Sequence, residues 1–90
     1  MSQTVFITGA SAGIGKATAR HFAAQGWNVV ATMRSPDDGA ELAGDNVLVM
    51  RLDLLESDTI HSSVAEAIER FGSIDVLVNN AGYGAYGPLE

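Results

Sequence analysis

Ninety residues, 47% of them hydrophobic and carrying a formal net charge of −6, describe one globular unit, residues 1–90, rather than a multidomain chain. Only five Lys and Arg are present and they are widely scattered, which excludes a basic nucleic-acid groove or an anionic membrane face; the lack of cysteine excludes a disulfide framework and a thiolate metal site. A chain this short buries only about 60–65% of the surface that its unfolded form exposes, so it reads as a marginal domain or as part of a larger one.

Met1-Ser2-Gln3-Thr4 runs straight into an apolar stretch, residues 4–8, without a basic leader or a long apolar run, which predicts neither signal peptide nor membrane span and a cytoplasmic location. A glycine-rich turn follows, then a helix predicted from Gly13 to Gln25, with Ala17, Phe22 and Ala23 for its packed face and Gly26 as its stop. Residues 28–33 form a second strand, after which Ser35-Pro36-Asp37-Asp38 opens a short helix ending near Gly44. The third strand covers residues 46–52. Ser57 is the expected N-cap of the next helix, in which Ile60, Val64, Ile68 and Phe71 recur at helical spacing before Gly72 closes it. A fourth strand spans residues 74–79. All four strands are short and rich in β-branched residues, the composition of strands covered on both faces. The order βαβαβαβ predicts an α/β fold with right-handed crossovers and a parallel sheet in the spatial order 3-2-1-4, leaving the fourth strand at an edge.

The turn after the first strand carries chemistry. A glycine-rich exit from a strand into a helix gathers backbone N–H groups and the positive end of the helix dipole around one point, where an anion is held. The spacing excludes a nucleotide-triphosphate P-loop, because Gly15-Lys16 would need glycine at 10 and Ser or Thr at 17, and both positions are alanine. It also departs from G-x-G-x-x-G, since glycines 9, 13 and 15 are spaced G-x-x-x-G-x-G. A pyrophosphate remains the favoured ligand: Gly9 permits the tight exit, Gly13 close backbone approach, and Gly15 packing of the helix on the sheet. Lys16 reads as a solvated helix residue, and His21, His61 and Trp27 as packing or surface residues.

Thr8-Gly-Ala-Ser-Ala-Gly-Ile-Gly15 resembles the TGxxxGxG motif of the short-chain dehydrogenase/reductase family, and Asp75-Val-Leu-Val-Asn-Asn-Ala-Gly82 resembles its DxLVNNAG segment. Arg51-Leu52-Asp53-Leu54 is similar to the aspartate step after the family's third strand. The resemblance implies a Rossmann-type doubly wound parallel sheet, a nicotinamide dinucleotide, hydride exchange with a small carbonyl or alcohol substrate, and a homo-oligomer when complete. Carried over residue by residue, it implies that Gly9, Ser11, Gly13, Ile14 and Gly15 lie near the pyrophosphate and its ribose. Asp53 would accept from the adenine amino group beside the Leu54 backbone, and Asn80, Ala81 and Gly82 would line the nicotinamide-side ribose. Thr8 and Asn79 read as structural ties between strands.

Cofactor choice rests on the end of the second strand, Ala31-Thr32-Met33-Arg34. An acid there would accept from a ribose 2′-hydroxyl, whereas a 2′-phosphate requires a cation. No acid occupies the position, and Arg34 offers a planar guanidinium, so NADP(H) is favoured over NAD(H); the alternative is that Asp37 or Asp38, beyond Pro36, reaches the ribose.

The family's proton-transfer pair, Tyr-x-x-x-Lys, is missing: Tyr83 is followed four residues on by Gly87 and Tyr86 by Glu90, and Lys16 is the only lysine. No catalytic residue is assigned. The chain reads as the cofactor-binding portion of a reductase, inactive by itself and prone to self-association through its fourth strand; the alternatives are a stand-alone dinucleotide-binding module and a homologue that binds no cofactor.

Overall fold

The structure, a computed structural model, describes residues 3–80. Four strands, β1 (Thr4–Thr8), β2 (Asn28–Met33), β3 (Val47–Arg51) and β4 (Val76–Asn79), form one parallel sheet in the order β3-β2-β1-β4. Helix α1 (Gly13–Ala24) joins β1 to β2, a 3₁₀ segment (Pro36–Leu42) joins β2 to β3, and α2 (Ser57–Phe71) joins β3 to β4. The α/β class, the parallel pairing and the strand order are those that right-handed crossovers dictate.

Alternation within the central strands explains the layering. Val5 and Ile7 of β1, with Val29, Ala31 and Met33 of β2, point to the face that α1 covers through Ala19, Phe22 and Ala23. Phe6 and Val30 point to the opposite face, where they meet Leu52, Ala67, Ile60 and Val64 beneath α2. Trp27 packs edge-on against Phe22 with ring centroids 4.8 Å apart, so it belongs to the α1 layer.

Several expectations are corrected. Ala17 is exposed and Ala19 takes the packed position on α1. On α2, Ile68 is 48% exposed, while Ser63 and Ala67 are buried against the sheet. A small residue lets the helix approach closely there, and Ser63 Oγ satisfies itself by donating to Ile60 O at 3.0 Å. Ser57 is the first helical residue rather than the N-cap, which is Glu56 and makes no side-chain cap; the Thr59 hydroxyl donates instead to Glu56 O at 2.7 Å. The connection predicted to be a short helix to Gly44 is a 3₁₀ segment ending at Leu42 and kinked at Gly39. Helix α1 stops at Ala24, one residue early.

β3 is shorter than expected, although hydrogen bonds from Val29 N–H to Asn46 O (2.7 Å) and from Leu52 N–H to Met33 O (2.8 Å) carry the pairing one residue past each end. β4 starts at Val76 because Asp75 does something else: its carboxylate Oδ2 accepts from Thr4 N–H at 2.8 Å while its own N–H donates to Thr4 O. Among the described residues no helix is long and apolar enough to cross a membrane.

Candidate functional site

The connections after β1, β2 and β3 all leave the sheet at the same edge, the carboxyl ends of the strands. They enclose a cleft of about 430 Å³ there. Gly9 and Ser11 line it from the first connection, Arg34 and Asp38 from the second, and Asp53 and Leu54 from the third. Open α/β sheets bind ligands in this crevice, where a strand end and the following helix meet.

The glycine loop is shaped by two different constraints. Gly13 has φ +57° with no atom within 4 Å of where a Cβ would stand, so it presents bare backbone to open space at the start of α1. Gly15 is buried against the loop: a Cβ there would overlap the Gly9 carbonyl oxygen and come within 2.8 Å of Asn80 Nδ2. The first hydrogen bond at the head of α1 runs from Lys16 N–H to Ala12 O, so the amides of Gly13, Ile14 and Gly15 precede the helical ladder. Ala12 supplies no side-chain cap and the first turn contains no acid. Ile14 is 76% exposed beside them. An anion with several oxygens fits this helix end by charge and by hydrogen-bond demand.

Asp53 is held by its surroundings. One carboxylate oxygen accepts from Leu55 N–H at 3.0 Å, forming a local turn, while its backbone N–H donates to Thr59 Oγ1 at 2.8 Å. The second carboxylate oxygen accepts no hydrogen bond from the described residues. Thr59, two residues into α2, thereby fixes the Asp53 turn to the helix; the sequence reading passed over it, although a hydroxyl residue in the first turn of a helix is the available signal.

Arg34 is exposed and makes no hydrogen bond or ion pair among the described residues, so its guanidinium is available to a ligand in the cleft. Asp38, from the alternative reading, lines the same cleft. Lys16 is not a solvated residue: it pairs with Glu41, which also lies 3.8 Å from Arg20. The Lys16 hydrogen bond holds the Glu41 carboxyl below its usual pKa.

Gly13, Ile14, Gly15 and Asn80 do not line the cleft itself; the first three open α1, and Asn80 follows β4. Thr8 and Asn79 act as strand ties, Thr8 Oγ1 donating to Asn79 Oδ1 at 3.1 Å and accepting from Asn80 N–H at 2.9 Å. Ala81 and Gly82 lie outside the described residues.

A parallel 3-2-1-4 sheet with a glycine loop opening its first helix and a cleft at the carboxyl ends of its strands defines a Rossmann-type α/β protein. The short chain dehydrogenase family model matches residues 3–90, and the chain belongs to that family. It is 39% identical over 87 residues to an uncharacterized oxidoreductase of Schizosaccharomyces pombe, a match covering 97% of this chain and 30% of that protein. Its fold matches a hydroxysteroid dehydrogenase from Escherichia coli with a TM-score of 0.83 and 34% identity, over 92% of this chain and 36% of that one. A 3-ketoacyl-(acyl-carrier-protein) reductase from Brucella melitensis, solved in complex with NADH, matches with a TM-score of 0.79 and 31% identity, over 83% of this chain and 32% of that one. The chain spans about a third or less of the length of the curated relatives that it matches. Proteins of this family are oxidoreductases that use a nicotinamide cofactor.

Proposed function

We propose that this chain supplies the cofactor-binding part of an NADP(H)-dependent oxidoreductase that moves hydride between the nicotinamide and a ketone or secondary alcohol. The observation that carries the reading is the convergence of Gly9, Ser11, Arg34, Asp53 and Leu54 from three separate connections on one cleft beside the uncapped start of α1. In this reading the pyrophosphate lies against Gly9, Ser11 and the first-turn amides of Gly13, Ile14 and Gly15. Arg34 meets the 2′-phosphate with a charge-assisted hydrogen bond. Asp53 accepts from the adenine amino group through its second carboxylate oxygen, next to the Leu54 backbone, while Asn80, Ala81 and Gly82 lie along the nicotinamide-side ribose. The bound cofactor supplies the hydride. The proton that accompanies it needs a positioned acid that no described residue provides.

NAD(H) is the second reading, favoured by one observation: Asp38 lines the same cleft and offers a carboxylate to a ribose 2′-hydroxyl. Steady-state kinetics of the protein carrying this chain, with NADPH and NADH against a panel of ketones, test the proposal. A higher kcat/KM with NADPH supports it. Equal values for the two cofactors defeat the preference, and inactivity with both on every carbonyl and alcohol offered defeats the oxidoreductase reading.

A further inference from the structure

The 3₁₀ segment Pro36–Leu42 borders the cleft through Asp38. Gly39 is buried in its middle with φ −127°, a conformation open to any residue, so backbone freedom does not explain a glycine there. Space does: a Cβ at position 39 would stand 2.6 Å from both Sδ and Cε of Met33. Met33 is the last residue of β2, only 3% exposed, and itself lines the cleft. Arg34 follows Met33 directly and Asp38 precedes Gly39, and both line the cleft. Two further attachments hold the segment from its other end, Leu42 in the core and Glu41 paired with Lys16 of α1.

We infer that Gly39 is a positioning residue for cofactor choice: by letting the segment seat directly on the Met33 thioether, it fixes where Arg34 and Asp38 stand at the 2′ end of the cleft. The inference rests on the dinucleotide reading of that cleft. A side chain at 39 leaves two ways out. The Met33 thioether, an unbranched chain that adapts readily, swings toward the cleft, or the segment lifts and carries Asp38 away from Arg34. Both act at the adenosine 2′ end; the segment also reaches α1 through the Glu41–Lys16 pair, which engages the Lys16 side chain and not the Gly13 and Gly15 backbone. The signature is therefore a change in the ratio of NADPH to NADH affinity rather than a uniform loss of both.

The test is a fluorescence titration of the protein carrying this chain with NADPH and with NADH, for the unmodified protein, Gly39→Ala, Met33→Val, and Gly39→Ala combined with Met33→Val. Valine lacks the Sδ and Cε that the new methyl would strike. Gly39→Ala is expected to change the NADPH-to-NADH affinity ratio about tenfold, and the double variant to return it to within about twofold of the Met33→Val value. A folded Gly39→Ala protein with an unchanged ratio, or with both affinities reduced equally, overturns the inference. Should Gly39→Ala fail to fold, the double variant decides: a ratio matching Met33→Val supports the seating account, and a different ratio or a second failure to fold overturns it. Binding of neither cofactor by the unmodified protein is a separate result, which overturns the dinucleotide reading and this inference with it.

Discussion

The side-chain amide of Asn80 donates to the carbonyl oxygen of Gly9 at 3.1 Å, joining the residue after β4 to the first residue of the glycine loop across 71 positions of chain. The same amide nitrogen is one of the atoms that a Cβ on Gly15 would meet. Three residues from three elements thus form one packed node, and the loop shape that presents the α1 amides depends on it. Whatever Asn80 does for a bound ribose, it holds the glycine loop first.

Breaking this node is expected to act on stability before it acts on binding. Asn80→Ala leaves the Gly9 carbonyl without its partner and should destabilise the protein by about 1 kcal/mol. Gly15→Ala drives a methyl group into the Gly9 backbone carbonyl and should destabilise by at least about 2 kcal/mol. Urea unfolding with unchanged slopes and shifted midpoints checks both values; a Gly15→Ala midpoint equal to that of the unmodified protein would contradict the packing account.

Arg34 and Asp38 should pull cofactor choice in opposite directions. Arg34→Asp removes a charge-assisted contact worth about 1.5–3 kcal/mol and adds repulsion of a 2′-phosphate, so preference should move to NADH by at least about tenfold. Asp38→Asn removes a negative charge from the same cleft and should move it further toward NADPH. Paired kcat/KM values for both cofactors measure each shift, and movement of both variants in one direction would contradict the assignment.

The Lys16–Glu41 pair should show itself in acid. Its hydrogen bond lowers the Glu41 pKa from an ordinary value of 4.5, so the stabilisation is present in full above that pH and is lost as pH falls through the lowered folded value. The stability difference between the unmodified protein and Glu41→Gln should be small, because the carboxylate is exposed, and should vanish below the folded pKa. Thermal unfolding of both proteins across the acid range checks the sign: a difference that grows as pH falls would refute it.

Between α2 and β4 the sheet carries an apolar groove of about 270 Å³, and Leu77 at its rim is 63% exposed. β4 is the outer strand at that side of the described sheet, with no charge on Val76, Leu77 or Val78 to discourage another chain. Residues 1–90 expressed alone should therefore self-associate, and Leu77→Lys should shift the population toward monomer. Light scattering that finds the unmodified chain monomeric would contradict this.

The strands were legible because burial on both faces leaves little choice but β-branched runs, and Val5-Phe6-Ile7 and Val29-Val30-Ala31 obey that rule. Glycine spacing was legible for a related reason, since position 15 has no room for a Cβ. What escaped depended on contacts between distant positions. Asp75 bonds to Thr4 only because β4 lies beside β1, and Glu41 meets Lys16 only because the 3₁₀ segment folds back on α1. Ile68 misled because it follows the helical period, whereas α2 sits over β2 and β3 and leaves that flank of its apolar stripe in solvent. Asp38 reached the cleft because Pro36 turns the chain into a 3₁₀ segment that borders it.

Hydrogen–deuterium exchange of the protein carrying this chain, with and without NADPH, tests most directly whether the glycine-loop cleft is the cofactor site. The account predicts slowed exchange together in peptides covering residues 9–15, Arg34 to Asp38 and Asp53 to Leu55, the three connections that meet at the cleft. Unchanged exchange in all three, or protection confined to the apolar groove between α2 and β4, would contradict it.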